Sequence, residues 1–384
     1  MATKSASSNH RYAMIMAGGA GTRLWPMSRA DRPKQLIPFI HRNGKPVSLL
    51  GLAAERLEGL VPREHRFICT GEAYREAIRA SMPEFSNDRI LGEPAGRDTV
   101  NAVGFAAAVL HKLDPRAIFA VLTADHLIEP VEKFQKCMDT GFRLVEEDPL
   151  RLVTFSIKPT YPATGYGYVE RGTPVPGFAN TAFRVERFVE KPNLQRAQAY
   201  LESGAFGWNS GMFVWSADTF LNCLRRYKPE SHGGLMKIAD AWGTPRQQEV
   251  LREVYPTLPK ISVDYAIMEP ASREQSRTAG TTNASGSIKI VTVIMDLKWL
   301  DVGSWPSYAE TLEADADGNR STGPGLFAKC RNSMVANESK HHFVAMLGCE
   351  NLIVVHTDDA TLVMPRDKAE ELKTLFGELP ESLK

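Results

Sequence analysis

The sequence predicts an α/β fold with a mixed, mostly parallel sheet, followed by a small β-rich module at the C-terminal end. The first half of the chain alternates short apolar runs with helical patterns, which is typical of βαβ units. Beyond residue 325 the apolar runs are short and β-like. Strands are expected at 12–17, 66–69, 117–122, 152–157, 183–189, 212–215, 343–347, 352–356 and 361–364. Helices are expected at 51–60, 73–82, 99–113, 130–147, 217–227 and 262–269.

Polar stretches predict how these elements are divided into domains. Residues 314–325 are rich in Asp, Gly and Asn, so we expect one domain over 12–314 and a small β-rich domain over 315–384. Residues 1–11 predict a disordered tail and, without an apolar run, no signal peptide. The Gly/Ser/Thr-rich stretch 271–287 predicts an exposed loop. A last helix should open at Asp367, because Glu370 follows at the spacing of a capping box.

Composition narrows the class of protein. The 384 residues contain 46 Lys and Arg against 45 Asp and Glu, so no charge imbalance indicates nucleic acid or a membrane surface as partner. No window contains the roughly 18 apolar residues that a membrane span requires. The five cysteines are scattered and form no CxxC pair, which favours reduced thiols. We therefore expect a cytoplasmic protein with neither nucleic-acid nor membrane partners.

The first strand runs directly into the glycine-rich segment AGGAGTRLWPMSRADRPKQL. Gly18, Gly19 and Gly21 allow positive φ angles and let backbone N–H groups approach phosphate oxygens closely. Arg23 and Lys34 add positive charge beside that turn. The segment is not a Walker A loop, because no GK[ST] follows, and it lacks the third glycine of GxGxxG. A tight turn with two surface cations remains the alternative interpretation.

The stretch GGAGTRLWPMSRADRPKQL, here called the signature segment (residues 18–36), resembles the signature of the sugar-nucleotide pyrophosphorylases. Its TRLWP, SR and PKQ elements resemble the mannose-1-phosphate guanylyltransferases in particular. The resemblance implies a Rossmann-like nucleotidyltransferase domain and a short left-handed β-helix that often takes part in dimer contacts. It also implies that Gly18, Gly19, Gly21 and Thr22 bind the nucleoside triphosphate, and that the catalytic residues are Arg23 and Lys34.

Two aspartates lie in further motifs of this resemblance. Asp125 stands in LTADHLI, just past the predicted strand 117–122, and Asp301 stands in WLDVGSW. Either one alone could be a helix N-cap or a turn residue. The resemblance implies that both bind the metal, Mg²⁺ with Mn²⁺ as the alternative, which prefers oxygen ligands and keeps substrate phosphates in its shell. One departure is Thr123, where the family usually has Pro.

Three stretches resemble the sugar-phosphate-binding elements of the family: PATGYGYVE, RFVEKP and GWNSGMFVW. They imply contacts from Gly165 and Tyr166, from Glu190 and Lys191, and from Asn209, whose amide both donates and accepts. Singly, these stretches could be a hairpin turn, an exposed charge pair and a turn residue.

GEPAGRDT matches the E-P-x-x-R segment of the family and implies that Glu93 and Arg97 bind the nucleotide. We hypothesise that Glu93, or a carbonyl nearby, accepts from the guanine N1–H and amino group. Asp98 stands where the family usually has Asn, and we expect it to keep a turn or cap role because the two residues rank alike as caps.

The resemblance implies the transfer of GMP from GTP to α-D-mannose 1-phosphate, giving GDP-mannose and pyrophosphate. A sibling enzyme for heptose or glucose 1-phosphate, or for another nucleotide, is the alternative. A sensor that binds the nucleotide sugar without making it is a second alternative, disfavoured because Arg23, Asp125 and Asp301 are all present. The chain leaves no room for an isomerase domain after residue 384, so we expect a single activity, with a homodimer as the candidate assembly.

Overall fold

The computed structural model describes residues 9–19, 21–42, 44–278 and 287–384. A nine-stranded mixed sheet forms its centre, in the order β5-β4-β1-β6-β11-β8-β12-β10-β9. The strands before residue 315 are β1 (Arg11–Met16), β2 (Ile40–Arg42), β3 (Lys45–Val47), β4 (Arg66–Gly71), β5 (Ile90–Glu93), β6 (Ile118–Thr123), β7 (His126–Glu129), β8 (Arg151–Ile157), β9 (Tyr168–Pro174), β10 (Ala182–Val189), β11 (Phe206–Ser216), β12 (Lys289–Met295) and β13 (Lys298–Asp301). Strands β5, β4, β1 and β6 run parallel, as do β8 and β12, whereas β11 is antiparallel to both β6 and β8.

Helices cover both faces of this sheet. Alternate residues of β1 point to opposite sides, so Ala13 and Ile15 join the core beneath α4 while Met14 joins the core beneath α3. The helices are α1 (Leu49–Glu55), α2 (Arg75–Ser81), α3 (Asp98–Leu113), α4 (Val131–Glu147), α5 (Leu194–Ser203), α6 (Ala217–Tyr227), α7 (Pro229–Ala241), α8 (Gln247–Val254), α9 (Glu269–Thr278), α10 (Trp305–Ala309) and α11 (Leu372–Glu378). No helix among the described residues combines the length and apolarity that crossing a membrane needs.

The C-terminal module is a small stack of parallel β-strands. Its strands are β14 (Arg320–Thr322), β15 (Gly325–Ala328), β16 (Met334–Asn337), β17 (Val344–Leu347), β18 (Leu352–His356) and β19 (Thr361–Pro365). Strand β16 pairs in parallel with β14 and β18, and β15 pairs in parallel with β17. Strands two apart in sequence therefore stack on each other, as in a β-helix. The predicted fold class, a mixed sheet followed by a β-rich module, is confirmed.

Two local predictions are wrong. Residues 271–278 continue α9 instead of forming a loop, because Ser272 is buried and its Oγ accepts the Phe188 N–H at 3.0 Å. Residues 279–286 of that prediction lie outside the described residues. The last helix begins at Leu372 and not at Asp367, since the Glu370 carboxylate bonds to Arg23 instead of capping a helix.

Residues next to β1 belong to the fold and not to a tail. Strand β1 already begins at Arg11, and His10 Nδ1 lies 2.6 Å from Asp114 Oδ2, so the chain is held in place from there on. Residues 1–8 lie outside the described residues.

The boundary at 314/315 stays a prediction, and an apolar core spans it. That core contains Leu24, Trp25, Trp305, Met334 and Ile353 among its buried side chains. The C-terminal module therefore packs directly on the segment that follows the glycine turn.

Candidate active site

The glycine turn after β1 is shaped by close packing. Gly21 has φ 68°, and a Cβ there would lie 2.6 Å from Ser28 Oγ and 2.7 Å from Lys34 Cβ. Glycine alone fits both the left-handed conformation and the space. A Cβ on Gly18 would lie 3.3 Å from Glu93 Oε2, and one on Gly19 would lie 3.7 Å from Lys34 Cε. The turn thus lies between the side chains of Glu93 and Lys34. Thr22 begins the short 3₁₀ helix that follows the turn.

The two aspartates far apart in sequence meet because their motifs form one β-ladder. Strands β7 and β13 pair antiparallel with Asp301 opposite His126, and the Val302 N–H donates to the Asp125 carbonyl at 3.0 Å. Ligand atoms of Asp125, His126 and Asp301 all lie within 4.8 Å of one another. The structure therefore brings together the two carboxylates that the sequence indicated as metal ligands.

A lysine from the signature segment completes this charge cluster. Lys34 Nζ lies 2.7 Å from Asp125 Oδ2. Burial alone would raise the pKa of Asp125, but Lys34 and His126 together hold that pKa below its ordinary value. At Asp301, burial and the Asp125 charge raise the pKa. Two converging carboxylates that repel each other are suited to a hard divalent cation.

The His126 ring is held beside Asp125 by two neighbouring side chains. The Trp299 Nε1–H can only donate, and it donates to His126 Nδ1 at 3.1 Å, so Nδ1 is the acceptor and the proton resides on Nε2. That nitrogen faces Asp125 Oδ1 at 3.7 Å. Burial lowers the pKa of His126, while the charges of Asp125 and Asp301 act to raise it. Thr123 Oγ1 lies 2.6 Å from the same Nδ1, a contact that proline at this position could not make.

Arg23 lies beside the second aspartate. Its Nη1 donates to both oxygens of Glu370, at 2.7 and 3.1 Å. Its Nη2 lies on the side of Gly303, two residues after Asp301, at 3.3 Å from the position that a Cβ on Gly303 would take. The Arg23 charge acts to lower the pKa of Asp301. The sequence indicated Arg23 as catalytic. It did not indicate Glu370 as a partner of Arg23, because the spacing from Asp367 predicted a capping role for Glu370.

Glu190 and Asn209, expected to bind the sugar, lie in one polar cluster with Asp264. Asn209 Nδ2 donates to Asp264 Oδ1 at 2.9 Å, and Thr154 Oγ1 donates to Asn209 Oδ1 at 2.8 Å, so the amide orientation is fixed. Lys191 Nζ lies 3.3 Å from Glu190 Oε1, and Glu190 Oε2 is buried and has no partner among the described residues. Such an oxygen is suited to accept from a ligand.

Asp264 is the residue of this cluster that the sequence analysis missed. It opens a π-helical turn, Asp264–Met268, inside the segment that was predicted only as a helix. Burial and the neighbouring Glu190 charge raise its pKa to about 7. The available signal was an ionisable residue that starts a helix in an otherwise apolar run, SVDYAIM.

Tyr166 connects the sugar-binding residues to the charge cluster. Its ring packs edge to face on Trp208 and Trp299, with centroid distances of 5.3 and 5.4 Å. Burial and the Asp301 charge raise the pKa of its hydroxyl. A Cβ on Gly165 would meet no atom within 4 Å, so the backbone there is open for contact.

The two residues expected at the base differ in their surroundings. Tyr255 Oη donates to Glu93 Oε1 at 2.6 Å, and burial raises the pKa of Glu93. Arg97 Nη2 donates to the Pro256 carbonyl, which ties this side chain to the turn at 255–257. The structure thus places Glu93 against the glycine turn, through Gly18, and joins Arg97 to the turn at 255–257, while the nucleotide-binding role of Arg97 stays a prediction. Asp98 has φ 63° and its Oδ1 accepts the Thr99 N–H at 2.7 Å, in keeping with a turn role.

Fold and site together define a nucleotide-dependent transferase. The family model of nucleotidyl transferases matches residues 12–318, and the chain belongs to this family. A second model, described as a MannoseP isomerase/GMP-like β-helix domain, matches residues 330–379.

The relatives give the particular branch. The chain is 37% identical over 366 residues to mannose-1-phosphate guanylyltransferase from Klebsiella pneumoniae, covering 94% of this chain and 72% of the relative. The enzyme of that name from Escherichia coli K12 is 36% identical, with 96% and 73% covered. The xanthan biosynthesis protein XanB of Xanthomonas campestris is 36% identical, with 95% and 72% covered.

A solved structure agrees over the whole fold. A crystal structure described as mannose-1-phosphate geranyltransferase from Thermus thermophilus superposes with a TM-score of 0.79 and 32% sequence identity. The similarity covers 96% of this chain and 99% of that one.

Proposed function

We propose that this chain transfers GMP from GTP to α-D-mannose 1-phosphate, releasing GDP-mannose and pyrophosphate. The observation that carries the proposal is the convergence of Asp125 and Asp301 beside Lys34 and Arg23, next to a glycine turn after β1. This arrangement offers both anion-binding and cation-binding groups, as phosphate transfer requires. The relatives named mannose-1-phosphate guanylyltransferase support the choice of substrates.

The nucleophile needs no general base. A phosphomonoester has its second pKa near ~6, so the sugar phosphate is mostly dianionic at neutral pH. One of its oxygens attacks the α-phosphorus of GTP in line, and the bond from that phosphorus to the bridging oxygen breaks. Pyrophosphate carries away the electron pair. The protein must therefore position two anions and offset their charge.

Charge compensation comes from the groups around the glycine turn. Backbone N–H groups at Gly18, Gly19, Gly21 and Thr22 bind the triphosphate, and Arg23 and Lys34 offset negative charge on the transferring and leaving groups. Asp125 and Asp301 would hold Mg²⁺, or Mn²⁺ as the alternative, which supplies further charge neutralisation when bound. His126 lies beside Asp125, with Nε2 at 3.7 Å from Asp125 Oδ1.

Substrate selection rests on two other groups of residues. Glu93 accepts from the guanine edge with the carboxylate oxygen that does not bond to Tyr255, and Arg97, which is joined to the turn at 255–257, binds the nucleotide beside it. Glu190 accepts from sugar hydroxyls with its unpartnered Oε2, Asn209 adds its remaining N–H, and Lys191 meets the sugar phosphate. Gly165 and Tyr166 close the sugar pocket from the side of Trp208.

Assembly and location complete the proposal. Large apolar side chains are exposed on the C-terminal module, among them Leu326, Phe343 and Leu347, at 56%, 60% and 73%. We assign these side chains, which lie on or next to the paired strands β15 and β17, to a homodimer contact. The five cysteines are unpaired, in keeping with a cytoplasmic location. Light scattering during size exclusion would reveal the dimer, and a monomer at micromolar concentration would contradict it.

The test is pyrophosphate release by purified protein with Mg²⁺. GTP, ATP, UTP, CTP and dTTP are each combined with the 1-phosphates of mannose, glucose and heptose. A dominant signal from GTP with mannose 1-phosphate is expected. Another productive pair would correct the substrate assignment and keep the mechanism. Silence across the panel, with GDP-mannose still bound, would contradict the proposal and indicate a sensor.

A further inference from the structure

The C-terminal module binds the signature segment through several hydrogen bonds and an ion pair. Trp25 Nε1 donates to the Leu383 carbonyl at 2.7 Å, and the Ala30 N–H donates to the Lys384 carbonyl at 3.0 Å. Arg29 Nη2 lies 2.7 Å from Asp359 Oδ1. Since Trp25 also packs in the apolar core that spans both parts, residues 23–30 have little freedom to move relative to the module.

Arg23 is the first residue of the segment 23–30. Its guanidinium lies between the C-terminal module and the candidate active site. Both Glu370 oxygens bind Nη1, at 2.7 and 3.1 Å, which leaves Nε and Nη2 without a hydrogen bond to any of the described residues. The Nη2 atom is on the side of Gly303, 3.3 Å from where a Cβ would lie. Glu370 thus holds one end of the planar fork while the other end faces the loop of Asp301.

We propose that Glu370 is a positioning residue for the transfer reaction, and that the C-terminal module is for this reason part of the active site. The inference rests on the proposed function, because it assigns Arg23 to the reacting phosphates. Glu370 holds the Arg23 side chain in one rotamer before substrate arrives, so less side-chain entropy is lost during the reaction.

The solvent exposure of the Arg23–Glu370 ion pair limits how much activity is lost when Glu370 is replaced. The pair is solvent-exposed, with side-chain exposures of 39% for Arg23 and 75% for Glu370. An exposed ion pair contributes little to folding stability, so replacing Glu370 should leave the melting temperature nearly unchanged. A loss of activity without a loss of stability therefore separates positioning from a structural role.

The experiment is a double-mutant cycle on pyrophosphate release. Glu370→Gln removes the charge and keeps the shape, and Glu378→Gln is the matched control, an exposed glutamate of the same module with no ion pair among the described residues. We expect kcat and kcat/KM for GTP to fall together in Glu370→Gln by about two- to fivefold, the range that an exposed pair can supply. The Glu378→Gln protein should match the wild type. In an Arg23→Ala background, Glu370→Gln should cause no further loss.

Three results would overturn the inference. An equal loss in the Arg23→Ala background would show that Glu370 acts independently of Arg23. Unchanged or faster turnover in Glu370→Gln would show that Glu370 has no positioning effect or competes with the phosphates. Either result, with an active wild type, leaves the proposed function standing. A wild type that is inactive on the whole nucleotide panel would overturn both together.

Discussion

Asp301 stands opposite His126 across the antiparallel β7–β13 ladder, and the His126 ring is held by the indole N–H of Trp299 from the same strand as Asp301. One short ladder therefore sets the positions of both acidic groups and of the imidazole beside them. Because ladder hydrogen bonds fix the register, the two carboxylates are preorganised to converge before substrate binds.

Removing one of these carboxylates should abolish most of the activity. Asp125→Ala leaves Lys34 without its partner and removes one oxygen ligand from the proposed metal site. We expect turnover to fall by ~10²–10³, which is typical for the loss of one electrostatic group. Pyrophosphate release under saturating substrates measures this change. Asp296→Ala, at an exposed carboxylate between β12 and β13, is the control. Turnover within a few-fold of wild type in Asp125→Ala would refute the role of Asp125.

The indole of Trp299 should be needed for tight metal binding. Trp299→Phe keeps an aromatic ring against His126 but removes the only obligate donor to Nδ1 among the described residues. The imidazole can then carry its proton on Nδ1 and turn a lone pair toward Asp125. Losses of such outer partners typically weaken metal affinity by ~10–100-fold. The Mg²⁺ concentration for half-maximal activity measures the effect, with Trp242→Phe, which packs on Phe105, as control. An unchanged Mg²⁺ requirement in Trp299→Phe would contradict the assigned tautomer.

Glu93 should determine the preference for guanine. Glu93→Gln keeps the acceptor for Tyr255 but replaces the second carboxylate oxygen by an amide N–H donor, which faces the donors of guanine. Hydrogen bonds to charged groups contribute about 1.5–3 kcal/mol, so we expect the ratio of kcat/KM for GTP over ATP to fall at least about tenfold. Glu84→Gln, at an exposed position nearby in sequence, serves as the control. If the ratio stays as in wild type, another group recognises the base.

Asp264 should make folding stability depend on pH. Its pKa is raised from 3.8 to about 7 by burial and by Glu190, so the folded state binds a proton more tightly than the unfolded state. The contribution of Asp264 to the free energy of unfolding is therefore fully present below pH 3.8 and is lost as the pH rises toward 7. The melting temperature of wild type relative to Asp264→Asn should therefore decrease between these values. A difference that stays constant or increases with pH would contradict the environment described for Asp264.

Long periodic elements were predictable from the sequence, because their apolar spacing is local information. The helix α6 matches its predicted bounds, α3 and α4 differ by one residue at one end, and β1 is shifted by one residue. The error at 271–278 arose because the polar composition of α9 concealed its buried side toward β10. There the Gln275 and Ser272 side chains bond to strand backbone, and such a pairing cannot be recognised without the partner.

The candidate site was predictable where a motif carried it and not where a tertiary contact created it. The motifs around Arg23, Lys34, Asp125 and Asp301 indicated residues that the structure brings into one region. Asp264 and Glu370 escaped notice because each has an ordinary local explanation, a helix start and a capping box. Their importance depends on Asn209 and Arg23, which are distant in the chain and near only in the fold.

The proposed reaction joins GMP to a sugar phosphate with the help of a preorganised pair of carboxylates. Its most direct test is to incubate wild-type protein and the Asp125→Asn, Asp301→Asn double variant with GTP, mannose 1-phosphate and Mg²⁺, and to identify the products by mass. We predict GDP-mannose and pyrophosphate in equal amounts from the wild type, and product formation lowered by at least ~10² in the double variant. Product formed equally fast by both proteins, or GTP left unconverted by the wild type, would contradict the proposal.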